Sequence, residues 1–421
     1  MFRRILWLLG LGILLMGCGQ DDGDGVGTVV GERPLVPTVP MATVPTVTVP
    51  TMVEPVVTVM ETVRPSQTPT GEVVVATLEG TTEFNSFVPI IPKPANTATP
   101  QPVATSTPLP TPTPSPTWPP PVDFAGIEAG LTAGERLAYH KIGFHTGAGG
   151  STVGLGAWMR QLDGAGVPFF LKSADEPRYL VEAQRLAAAS GVEHTLVFRR
   201  SGDAYDTPNY DLPPREAAVA HWALHVAAWP AELDKELVWM ETMNEVDKER
   251  GEWMITFAMA TAELALRDGY RWAAFGWSSG EPEPELWRTA EMADFLRLVA
   301  AYPEQLAIAL HEYSYTIEAI DDGFPYKVGR FIDLLAACEE MGIEAPTILI
   351  TEWGWEYQTV PDVAQAMADI EWAAALYAQY PTVRGAAIWY LGGYFGEIDQ
   401  QTQLLIRPVT VAGLRNYYIV D

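Results

Sequence analysis

The final 300 or so residues of this 421-residue chain predict a closed (β/α)8 barrel, on three observations. Eight apolar segments of strand type recur between Ala138 and Leu391, helical patterns separate them, and the stretch has the size that eight β–α units need. The candidate strands are Ala138–His145, Val167–Ser173, His194–Arg200, Leu237–Asn244, Arg271–Trp277, Leu306–Tyr313, Thr347–Glu352 and Arg384–Leu391. Between them, apolar residues return at i, i+3, i+4 spacing. The clearest runs are Met254, Phe257, Ala258, Thr261, Leu264 and Ala265; Met292, Phe295, Leu296 and Val299; and Val363, Met367, Ile370, Ala374 and Tyr377. Gly191, Gly269, Pro303, Gly342 and Pro381 punctuate the junctions. A doubly wound open sheet is the competing arrangement. Gly147–Ser151 is glycine-rich but lacks the spacing and the Lys-Ser/Thr of a phosphate-binding loop, so no nucleotide site supports that alternative.

Ahead of this domain the chain reads differently. Arg3 and Arg4 precede an eleven-residue apolar run, Ile5–Leu15, which is an export signal and too short to span a bilayer, since a span takes about 20 residues. It ends Leu15-Met16-Gly17-Cys18, which resembles a bacterial lipoprotein cleavage box. The resemblance implies removal of residues 1–17, lipidation of Cys18 and a membrane-anchored chain; an ordinary signal peptide with an incidental cysteine is the alternative. Residues 18–121 hold 21 of the 35 prolines, interleaved with Thr and Val. Proline fixes φ and withholds a donor, so this segment reads as a disordered linker of polyproline II character, with one less proline-rich patch, Val73–Ile91. At roughly 3.1 Å per residue it reaches at most about 300 Å. The barrel domain is then 122–421.

Net charge is −27, and residues 122–421 carry 21 Lys and Arg against 44 Asp and Glu, a balance of −23. Phosphate binding needs a basic footprint, so nucleic acid is excluded as a partner. With Cys18 lipidated, Cys338 has no partner for an intrachain disulfide; it falls on the apolar face of a helical pattern and reads as a buried, inert thiol.

Barrels of this class place chemistry at the carboxyl ends of their strands. Those ends read His145, Lys172 with Asp175, Arg199 or Arg200, Asn244 with Glu245, Trp277, His311 with Tyr313, Glu352, and Trp389. Two carboxylates from separate strand ends are what acid/base cleavage of a glycosidic bond requires, one to protonate the leaving oxygen and one to attack or to activate water. Arg199 and Arg200 point to opposite faces of a regular strand, so only one of them can face the site.

Glu241-Thr-Met-Asn244-Glu245 resembles the E-x-x-N-E that closes the fourth strand of clan A glycoside hydrolases, and Ile350-Thr-Glu352-Trp-Gly354 resembles their I-T-E-x-G on strand seven. His311-Glu-Tyr313 on strand six and Trp389 on strand eight also match. The resemblance implies a retaining glycosidase acting on extracellular β-linked polysaccharide or oligosaccharide, with Glu245 as acid/base and Glu352 as nucleophile. It further implies Tyr313 bonded to Glu352, Asn244 holding the sugar 2-hydroxyl, Trp389 as the floor for a sugar ring and a cis peptide after it. His145, Lys172, Arg199, Trp277 and His311 complete the expected substrate-binding set. No cofactor or metal is implied, and the chain is expected to be a monomer. Repulsion from ionised Glu352 is expected to keep Glu245 protonated. Two departures stand out: Val246 replaces the usual proline, and no arginine closes the second strand, where Lys172, Arg199 or Arg200 must substitute.

Blander readings accompany these. The two glutamates can be structural ion-pair partners, His311 a core histidine, and Trp277, Trp353 and Trp355 rim packing. His221 and His225 lie one helical turn apart without a third ligand nearby, and read as exposed helix histidines. A carbohydrate-binding barrel that has lost catalysis is the rival from another class; a metal-dependent hydrolase lacks the clustered His and Asp ligands it would need.

Overall fold

The computed structural model describes residues 117–393 and 395–420. The expected signal segment, Cys18 and all but the last residues of the linker lie outside them, as does Tyr394. Ten strands are present among the described residues: β1 (Arg136–Tyr139), β2 (Ile142–Gly147), β3 (Phe170–Ala174), β4 (Thr195–Arg199), β5 (Val238–Glu241), β6 (Arg271–Trp277), β7 (Leu306–Tyr313), β8 (Ile348–Gly354), β9 (Val383–Gly392) and β10 (Tyr417–Val420). Strands β2 to β9 pair in sequence order, all parallel, and β9 closes on β2. This is the expected eight-stranded barrel.

A helix of ten residues or more follows each barrel strand, the longest being Gly251–Asp268 and Ile398–Arg415. The first of these buries Met254, Phe257, Ala258, Thr261 and Ala265, the stripe that its spacing dictates, and stops at Gly269, whose φ of +70° suits glycine. Helix Val363–Ala378 starts at Asp362, whose carboxylate accepts from the amides of Ala364 and Gln365. None of the helices among the described residues is long and apolar enough to cross a membrane.

The expected strand Ala138–His145 is two strands. β1 leaves the barrel and pairs antiparallel with β10, an element without a counterpart among the expected strands. Between β1 and β2, the Lys141 ammonium donates to the carbonyls of Tyr377, Tyr380 and Val383 at 3.1, 2.9 and 2.7 Å, which ties the turn under the barrel. A cavity of about 460 Å³ lies at this amino-terminal end, lined in part by Arg136, His140 and Lys141.

Inside the barrel, Phe170, Val197, Trp239, Ala273, Ala307, Ala309, Leu349 and Ala387 form an apolar plug. Two large rings among alanines fill the narrow interior, and side chains two residues further along the strands stand on top of it. The larger apolar cluster lies between the barrel and its helices and includes Phe275, Trp277, Ile350 and Trp353. Cys338 is buried in that layer, and burial pushes its thiol up to about 11.

Candidate active site

Directly above the plug the inward positions become charged. From Phe170, Val197 and Trp239, a step of two residues gives Lys172, Arg199 and Glu241, all buried. The Lys172 ammonium lies 2.5 Å from Glu241 and 3.2 Å from Glu352, so one cation bridges two carboxylates. Thr351 donates to the other oxygen of Glu241 at 2.5 Å. Burying these ions is costly unless each is paired, and each is.

Glu352 is the focus of the cluster. Its Oε1 lies 3.4 Å from Arg199 Nη1 and 3.6 Å from His145 Nδ1, and its Oε2 accepts from the Tyr313 hydroxyl at 2.8 Å. Burial opposes ionisation of this carboxyl, but His311, Lys172, Arg199 and His145 outweigh it and hold it well below the usual range. Burial and the neighbouring Glu352 raise Tyr313 well above its ordinary value, so the phenol keeps the proton it donates.

Glu245 sits beyond the end of β5, in the turn that follows, with φ +48° and its backbone amide bonded to the Gly276 carbonyl at 2.8 Å. Its side chain is 46 % exposed, against 8 % for Glu352. One nitrogen, His311 Nδ1, lies 3.4 Å from Glu245 Oε1 and 3.6 Å from Glu352 Oε2. Those oxygens are therefore no further apart than the sum of the two distances, 7.0 Å. Asn244 accepts a hydrogen bond from Arg199 through Oδ1. A guanidinium only donates, so this contact turns the amide NH2 away from Arg199.

Glu245 is not held protonated by Glu352, contrary to expectation. The hydrogen bond from His311 is the largest influence on Glu245 and lowers it, outweighing burial and repulsion from Glu352. Burial alone would lower His311, but Glu352, Glu241 and Glu245 together raise it above the ordinary imidazole value. Both shifts favour the imidazole over Glu245 as the holder of the proton in the free site.

No family model matches this sequence, and no curated protein does. Solved structures that resemble it include a triple-mutant endo-β-1,4-glucanase from Xanthomonas axonopodis, 13 % identical with TM-score 0.37, covering 65 % of this chain and 99 % of that one. A Bacteroides ovatus family 5 xyloglucanase bound to a heptasaccharide is 11 % identical with TM-score 0.37, covering 65 % and 75 %. An Escherichia coli aldolase is 9 % identical with TM-score 0.33, covering 66 % and 92 %. At these values the likenesses decide neither reaction nor substrate, and the fold rests on the strand pairing itself.

Of the expected site residues, the barrel brings together His145, Lys172, Arg199, Asn244, Glu245, His311, Tyr313 and Glu352 through the contacts above. Arg200 turns outward to Asp175 at 3.4 Å. Trp389 is half-buried at the mouth, its ring 6.4 Å from Tyr313 at 80°, and the Trp389–Tyr390 peptide is cis. Trp277 is not with them. It is fully buried between barrel and helices, stacked on Phe275 at 5.1 Å, and has no surface to offer a ligand. Ser278 was not among the expected residues, yet its hydroxyl donates to Glu245 at 3.2 Å. Tyr357, also unanticipated, is 69 % exposed and stacks on Trp389 at 5.8 Å and 23°. Among the described residues, no group of three or more His, Cys, Asp or Glu is arranged to hold a metal.

Proposed function

We propose that this chain is a retaining glycoside hydrolase that cleaves β-linked glycans outside the cell. The observation that carries the reading is the pairing of a buried carboxylate held ionised, Glu352, with a half-exposed one, Glu245, across a single imidazole nitrogen. Retention needs carboxyl groups about 5–5.5 Å apart and inversion roughly 6.5–9.5 Å; the 7.0 Å ceiling between these two oxygens admits the first and leaves little of the second.

In this reading Glu352 attacks the anomeric carbon, and the bond from that carbon to the leaving oxygen breaks. The leaving oxygen takes a proton through Glu245, which receives it from His311 Nδ1 across their 3.4 Å contact as the bond breaks, so both groups end the step deprotonated. Water then attacks the glycosyl ester, Glu245 accepts its proton and returns it to His311, and Glu352 leaves as carboxylate. Asn244, its carbonyl fixed by Arg199, offers its NH2 to the sugar 2-hydroxyl, a contact that strengthens in the transition state. Trp389 and exposed Tyr357 supply aromatic faces for the apolar side of sugar rings. We take the domain to act as a monomer at the cell surface, held by lipidated Cys18 at the end of its linker.

A 2-deoxy-2-fluoro β-glycoside with an activated leaving group should trap the intermediate, leaving one glycosyl mass on the peptide that contains Glu352. Glu352→Ala should lower hydrolysis of aryl β-glycosides by on the order of 10⁴-fold. Equal rates for wild type and Glu352→Ala would leave only a carbohydrate-binding barrel, and a label on another carboxylate would overturn the assignment of Glu352.

A further inference from the structure

The histidines that read as exposed helix residues are buried. His221 and His225 lie one turn apart on helix Pro214–Ala228, 5 % and 3 % exposed, and face the loop after β4. Their Nε2 atoms converge on a single acceptor, the backbone carbonyl of Tyr205, at 2.8 and 3.1 Å. A carbonyl oxygen has two lone pairs and cannot donate, so both imidazoles present Nε2–H to it. The rings meet edge to face at 4.6 Å, Phe257 packs against His221 at 5.7 Å, and the Tyr205 ring packs against His225 at 5.3 Å.

The residue after Tyr205 reaches the site. The Asp206 carbonyl accepts the backbone amide of Asn244 at 3.1 Å, and its carboxylate lies 3.7 Å from Arg199 Nε. Arg199 in turn holds the Asn244 side chain and lies 3.4 Å from Glu352. Loops fray unless tied down, and this one is tied at the peptide next to the contacts that aim Asn244.

We infer that His221 and His225 are positioning residues: they clamp the Tyr205 carbonyl as a pair and so fix Asp206, through which Asn244 and Arg199 are set for the sugar 2-hydroxyl. This deepens the glycosidase reading and rests on it for the kinetic readout only. Burial holds both rings neutral, at about 4 for His221 and about 3 for His225. The charged groups that face them are Arg199 and, were either protonated, the other imidazole. The clamp therefore persists through neutral pH.

The test compares full-length wild type, His221→Leu/His225→Leu and His221→Gln/His225→Gln, since Gln keeps an N–H that can reach the carbonyl. On an aryl β-glycoside the Leu pair should lose roughly 100-fold in kcat with KM little changed, the scale of a misplaced transition-state contact. The Gln pair should recover most of that loss. On the matching 2-deoxy glycoside, wild type and the Leu pair should differ little, because Asn244 has no hydroxyl to hold. A second readout needs no activity: backbone amide exchange at Asn244 should accelerate in the Leu pair and return in the Gln pair, with barrel-strand amides unchanged. Unchanged exchange at Asn244, or an equal loss on both substrates, would overturn the inference. Should wild type hydrolyse no glycoside, the proposed function fails, and the exchange measurement still decides the clamp.

Discussion

The Nδ1 of His311 stands 3.4 Å from one catalytic candidate and 3.6 Å from the other, and the pH behaviour of the site turns on it. His311 is raised from 6.5 and Glu245 is lowered from 4.5, so the two share one proton that is lost only above the ordinary imidazole range. The alkaline limb of kcat/KM should therefore lie above pH 6.5. The acid limb belongs to Glu352; that carboxyl is held well below 4.5, so activity should persist into acid until it protonates. His311→Ala removes the contact that lowers Glu245 most and leaves burial and Glu352, which raise it, against the Ser278 hydroxyl alone, which lowers it. The leaving-group proton then resides on a carboxyl alone, with no imidazole to hold it to higher pH. The alkaline limb should move to lower pH, and each unit of movement costs about tenfold in rate on that limb. A pH–rate profile of the variant checks this, and an unmoved limb would mean that the proton never resided on the pair.

Three of the barrel strands, β6, β8 and β9, carry an extra residue against a neighbour, and those on β6 and β8 decide which side chains reach the site. On β8, Leu349 faces inward, so unbroken alternation would turn Glu352 outward with Ile350. Instead Leu310 pairs with Ile350 and His311 with Glu352, leaving Thr351 unopposed, and both Thr351 and Glu352 face the interior. On β6 the register shifts between Phe275 and Trp277, which turns Gly276 inward and Trp277 out. Gly276 has φ +59°, and a Cβ there would sit 2.9 Å from the Met243 carbonyl. Gly276→Ala should therefore push away the turn that its carbonyl anchors at Glu245. We expect a loss of kcat of roughly 100-fold with the fold intact. Circular dichroism beside aryl-glycoside kinetics measures this; full activity would show that the turn does not set Glu245. These bulges also mark what the sequence could disclose. Apolar periodicity made the eight strands and their helices legible, and the paired motifs drew attention to Glu245 and Glu352. A one-residue slip leaves no trace in composition, so Trp277 read as a strand-end platform although the bulge sends it outward. The β1–β10 pairing was illegible because the two strands lie at opposite ends of the domain. His221 and His225 read as exposed because a polar residue on a helix gives no sign of a carbonyl brought to it by another loop.

Over the whole molecule charge is lopsided, with a net −27 across the chain and −23 in residues 122–421. Such a field does nothing for the binding of an uncharged polymer, whose contacts are hydrogen bonds and ring faces, but it opposes the approach of a polyanion. The site itself concentrates cations: Lys172, Arg199 and His311 stand beneath the mouth. They are buried and committed to Glu241, Glu245 and Glu352, so they present no free positive surface to an acidic glycan. Substrate choice should thus follow the outer field. If one β-glucan backbone is offered neutral and carboxymethylated, the neutral form should be hydrolysed faster at about 0.05 M salt, where the screening length is on the order of 14 Å. Raising salt to about 0.5 M shortens that length to roughly 4 Å and should raise kcat/KM on the carboxymethylated polymer several-fold, with the neutral polymer unchanged. The ratio of the two rates across a salt series is the measurement. A carboxymethylated polymer that is preferred at low salt and loses that preference as salt rises would place a basic groove in the binding path and contradict the acidic-surface argument.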